Sequence, residues 1–99
     1  MKQTEHIPIS ELCTHYKLDV TFFDNLKSYG LIETVSLEQR PCIHQEQIGH
    51  LEKMIRLRQD LNINFEGIDT VVNLLQKMEK LQSELLEVKS RLRLYEEDN

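Results

Sequence analysis

Little in this sequence equips it for catalysis, secretion or a membrane. Its 99 residues hold three glycines, two prolines, two cysteines and no tryptophan. The glycines stand far apart, so there is no phosphate loop and no glycine-rich dinucleotide fingerprint. Cys13 and Cys42 form no CxxC pair and no disulfide framework, which is the usage of a reducing compartment. No apolar run approaches the roughly 18 residues of a membrane span. The opening Met1-Lys2-Gln3-Thr4-Glu5 is no signal peptide, so the expected location is the cytoplasm and no membrane partner is expected. His6, His15, His44 and His50 lack a nucleophile at suggestive spacing. Cys42, His44 and His50 are too loosely spaced for a zinc site. Catalytic residues, metal and cofactor are therefore all expected to be none, and the chain is expected not to be an enzyme. Basic groups are scarce as well. The net charge is −5, and residues 1–50 set Lys2, Lys17, Lys27 and Arg40 against Glu5, Glu11, Asp19, Asp24, Glu33, Glu38 and Glu46, a balance of −3.

What the sequence does have is a long periodic tail. From Val71, apolar residues fall at Leu74, Met78, Leu81, Leu85, Val88, Leu92 and Tyr95, with steps of three and four in alternation. No Gly or Pro interrupts them. That spacing keeps one narrow seam turned toward a partner helix, the pattern of a coiled coil. Each seam side chain is worth roughly 1.5–3 kcal/mol gross when buried, too much apolar surface in total to leave wet. Residues 70–99 are expected to be a coiled-coil dimerisation helix, with those seven seam residues after Val71 at the interface of a homodimer.

The head, residues 1–69, reads as short helices. His6-Ile7-Pro8-Ile9 is an extended start, with Pro8 suited to a helix's first turn. Ile9, Leu12, Cys13 and Tyr16 have helical spacing, which places the Cys13 thiol on an apolar, buried face. Lys17-Leu18 turns, Asp19 caps a second helix from Val20 to about Tyr29, and Gly30 stops it. Two short helices around a tight turn make a helix-turn-helix unit. Between Ile32 and Ile43, Val35-Leu37 and Pro41-Cys42-Ile43 flank a polar tip, Glu38-Gln39-Arg40, which predicts a small β-hairpin wing. A third helix is expected over Gln45–Leu61 on Ile48, Leu51, Met54, Ile55, Leu57 and Leu61. Asn62-Ile63-Asn64 breaks it, and Asn64 caps the last helix, where Ile68, Val72 and Leu75 form a stripe packed on the head.

This layout, mainly α with a winged helix-turn-helix head and a long C-terminal coiled-coil helix, resembles the MerR-type regulators. The local strings Ile9-x-Glu11-Leu12-Cys13, Tyr29-Gly30-Leu31-Ile32 and above all Arg56–Ile68 resemble the CbpM-like chaperone-modulator branch. That resemblance implies a protein that binds the J domain of a DnaJ-type co-chaperone and inhibits its work with Hsp70. The alternative is a MerR-type DNA-binding transcription regulator.

The second helix bears on the choice. Its apolar side is expected to be Val20, Phe22, Phe23, Leu26 and Tyr29. Thr21, Asp24, Asn25 and Ser28 share the opposite face, where a reading helix meets a DNA groove. Asp19 and Glu33 border it. A MerR-type DNA reader is expected to carry Arg and Tyr on this face, whereas the stripe has no Lys or Arg to neutralise phosphate. Sequence alone therefore points these six residues at a basic protein surface and away from nucleic acid.

Overall fold

The structure is a computed structural model that describes residues 5–97; the reading of Met1-Lys2-Gln3-Thr4 and the last two residues of the tail lie outside it. The chain divides into two compact units, with the boundary between Asp69 and Thr70.

In the first unit a strand, β1 (His6–Pro8), runs directly into helix α1 (Ile9–Tyr16). Lys17 ends α1 in the left-handed conformation (φ 58°), and Asp19 opens α2 (Val20–Ser28) by accepting from the Thr21 N–H at 3.0 Å. Helix α2 closes as the glycine predicts. Gly30 has φ 72° and donates to the Lys27 carbonyl, while the Leu31 N–H reaches back to the Leu26 carbonyl. This is the paired-bond ending that a left-handed residue makes possible, and it brings Leu26 and Leu31 together in buried positions.

The wing follows as β2 (Val35–Leu37) and β3 (Arg40–His44). Leu37 pairs with Arg40, so the loop is only Glu38-Gln39, both at positive φ (52° and 65°). A two-residue hairpin whose twist matches its strands requires that conformation. Arg40 thus belongs to the strand, not to the tip. The hairpin is also part of something larger. His6, Ile7 and Pro8 pair antiparallel with His44, Ile43 and Cys42, giving a three-stranded sheet in the order β1–β3–β2. The central strand buries Cys42 and Ile43, whereas Val35 and Leu37 on the edge strand are 46% and 41% exposed.

The third helix begins later than its apolar spacing suggests. Gln45–Gln47 form a 3-10 turn, capped by His44, whose Nδ1 accepts from the Glu46 N–H at 3.1 Å. Helix α3 then spans Ile48–Gln59. Leu61 falls outside it and is 65% exposed, and Asn62 takes φ 54°. Asn64 caps the last helix, α4 (Phe65–Glu97), through a 2.8 Å bond from the Gly67 N–H.

The core of the first unit is Ile9, Leu12, Phe22, Phe23, Leu26, Leu31, Ile32, Cys42, Ile43, Leu51, Met54, Ile55 and Ile68. Its members come from every helix, from β3 and, in Leu31 and Ile32, from the loop after α2. Two residues expected on the apolar side of α2 do not join it. Val20 is 51% exposed and Tyr29 38%, because each sits at one end of the helix, beyond the reach of the core. The Cys13 thiol is half-buried rather than buried.

Within the second unit the rest of α4 is exposed from Asn73 onward. Leu75, expected in the packed stripe, is 41% exposed, and the seven seam residues from Leu74 to Tyr95 are all more than half exposed. The helix carries an Arg91–Glu87 ion pair one turn apart. A single chain shows one continuous helix here; a coiled coil needs two. No helix among the described residues is long and apolar enough to cross a membrane.

Candidate nucleic-acid interface

All six residues singled out around α2 are exposed, Asp19, Thr21, Asp24, Asn25 and Ser28 on the helix and its cap, Glu33 in the loop beyond. Three of them are tied to their own backbone. Asp19 holds the Thr21 N–H, the Asn25 amide donates to the Thr21 carbonyl at 2.9 Å, and the Ser28 hydroxyl donates to the Asn25 carbonyl at 2.8 Å. Short polar side chains on a helix commonly bond back to the preceding turn in this way. The Asn25 amide still has its oxygen and a second N–H free of that bond.

Glu33 is fixed differently. Its N–H donates to Gln47 Oε1 and its carbonyl accepts from Gln47 Nε2, both at 3.1 Å. One glutamine side chain thereby fastens the loop after α2 to the turn before α3. Nothing in the sequence signals this contact, since the partners are fourteen residues apart and glutamine is common on surfaces.

The negative character of the α2 face registers on the neighbouring thiol. Burial first, then the charges of Asp19 and Asp24, push Cys13 above the usual thiol value. A thiol kept protonated is a poor nucleophile and a poor metal ligand. Among the described residues no three His, Cys, Asp or Glu side chains converge on a possible metal position.

The stripe itself holds no basic group. Lys17 stands in the helix-turn-helix turn, Lys27 on α2, and Arg40 on β3, all exposed. Arg40 reaches from the wing to α1, donating to the Ser10 hydroxyl at 3.0 Å.

The string Arg56–Ile68 has a structural explanation. Arg58 lies over the Phe65 ring, 4.9 Å from its centre, and donates to the Ile63 carbonyl. Phe65 in turn packs against Phe22 with ring centres 5.6 Å apart. Gly67 has no room for a side chain, because a Cβ would sit 2.6 Å from Ile63 Cγ2. These residues build the junction between α3 and α4 and lock it to α2.

Two short helices around a tight turn, a second helix with a free polar face and a β-wing beside it define a winged helix-turn-helix protein. The family model for the MerR HTH family regulatory protein matches residues 7–90, and the chain belongs to that family. No curated protein and no solved structure matches the chain significantly. The match overturns the chaperone-modulator reading, with its CbpM-like identity, J-domain binding and co-chaperone inhibition, in favour of the regulator named as its alternative. The physical reason lies in Arg56–Ile68: residues that seemed to mark one branch are those this helix junction needs for packing and capping.

Proposed function

We propose that the protein is a MerR-type transcription regulator that binds DNA as a homodimer and has no catalytic role. The observation that carries this reading is the family match across residues 7–90, on a chain whose helix-turn-helix face is exposed. In this reading α2 enters the major groove with Thr21, Asp24, Asn25 and Ser28 toward the base edges. The free part of the Asn25 amide is suited to adenine and the Asp24 carboxylate to the amino group of cytosine. Lys17, Lys27 and Arg40 supply the phosphate contacts that set register. Asp19 and Glu33 oppose them, so nonspecific affinity is weak and specificity depends on two heads acting together.

The second head comes from a second copy of the chain. Heptad spacing and seven seam side chains each more than half exposed support a coiled coil between two α4 helices. Selection of duplexes from a random-sequence pool tests the reading. The regulator should enrich a site with two-fold symmetry, as a dimer of identical heads requires. A pool that shows no enrichment after repeated rounds would overturn it.

A further inference from the structure

His6 and His44 do not belong to the face just described. They stand directly opposite each other on the antiparallel strands β1 and β3, and such pairs project to the same side of a sheet with Cβ atoms about 5 Å apart. Their ring centres are 4.9 Å apart and the ring planes are at 89°. Two imidazoles sharing one tetrahedral cation, with metal–nitrogen bonds of about 2.0–2.1 Å, have ring centres about 5 Å apart. The observed separation already satisfies that requirement. An imidazole centre lies close to the line of its Cβ–Cγ bond, so turning the His6 ring about that bond re-aims its nitrogens and leaves the centre in place. This torsion is a soft one.

Glu46 stands behind His44. The His44 Nδ1 accepts from the Glu46 N–H at 3.1 Å and lies 3.5 Å from Glu46 Oε1. With a cation on Nε2, the ring proton moves to Nδ1, which then gives up the Glu46 N–H and donates to the Glu46 carboxylate instead. A carboxylate behind a ligating histidine fixes the ring and raises its basicity.

We propose that His6 and His44 form a two-imidazole site for a divalent transition-metal cation, with water completing its coordination. Imidazole ligands favour zinc, nickel and copper over magnesium or calcium. The cation bridges β1 to β3 and so fastens the start of the chain to the root of the wing. Such a cation stabilises the folded head, because the unfolded chain does not hold the two rings together.

The test uses metal-free protein and added Zn²⁺ or Ni²⁺. The melting temperature should rise with metal, the rise should vanish in His6→Ala, and it should persist in His50→Ala. His6→Ala is the informative change because it leaves the His44 cap on Glu46 intact. No rise in the native protein, or an equal rise in His6→Ala, would overturn the site. A second readout does not depend on the variant folding. Substoichiometric Cu²⁺ should broaden the imidazole resonances of His6 and His44 together in the native protein; broadening of His15 or His50 in their place rejects the proposal.

Discussion

Gly67 shows how much of this head rests on single side chains. A Cβ there would meet Ile63 Cγ2 at 2.6 Å and Asn64 Oδ1 at 3.1 Å, the latter being the atom that caps α4. Gly67→Ala gains helix propensity but must displace both neighbours, and overpacking of this kind costs about 1–3 kcal/mol. Gly49, in the first turn of α3, has nothing within 4 Å of the same position. Gly49→Ala should therefore stabilise by about 0.5–1 kcal/mol. Chemical denaturation of the two variants reads the opposite signs directly.

Tyr16 gives a pH signature at the same scale. Its hydroxyl donates to Glu52 Oε2 at 2.7 Å, joining α1 to α3. Burial first, then the Glu52 bond and charge, push the phenol up to about 12. The folded state thus holds this proton more tightly than the unfolded chain, whose phenol titrates near about 10. Stability from the pair is fully present below the unfolded value and is lost as pH rises from there toward the folded one. Tyr16→Phe should cost about 1 kcal/mol at neutral pH. The gap between native protein and variant should close above pH 10, read by denaturation at a series of pH values.

At the scale of elements, the helices were legible because their ends carry chemistry. Asp19 as cap and Gly30 at φ 72° fix α2 on both sides, and Asn64 fixes the start of α4. The long helix was legible from periodicity alone. Strand β1 was legible only as an extended start; its pairing was not, because its partners lie more than thirty positions away. Val20, Tyr29 and Leu61 misled the core assignment because periodicity cannot tell where a helix end leaves the core. The α2 face was found by helical phase, but what it meets was not. Its missing charge pointed one way and the family match the other. The Arg56–Ile68 string resembles one family branch, but its residues are explained by packing at the helix junction.

The seam of α4 makes its own prediction. Leu81 and Leu85 are 63% and 53% exposed in the single chain, so an Asp at either costs a lone chain little. Between two helices it buries a charge with no partner, a loss of several kcal/mol. Leu81→Asp and Leu85→Asp should each shift the protein from dimer toward monomer in sedimentation velocity. A native protein that sediments as a monomer at tens of micromolar would dispose of the coiled coil.

For the whole molecule, charge decides how DNA binding must look. A chain of net charge −5 is repelled by a polyanion except where its few cations are placed to meet phosphate. Lys17, Lys27 and Arg40 are exposed on the head, and the proposed dimer would offer the set twice. The central claim is tested most directly by titrating salt against the affinity of the purified protein for its selected duplex. With roughly six phosphate contacts per dimer, log K should fall against log salt with a slope of about −5, at −0.9 per contact. Binding that is absent even at low salt, or an affinity that salt leaves unchanged, would contradict the account.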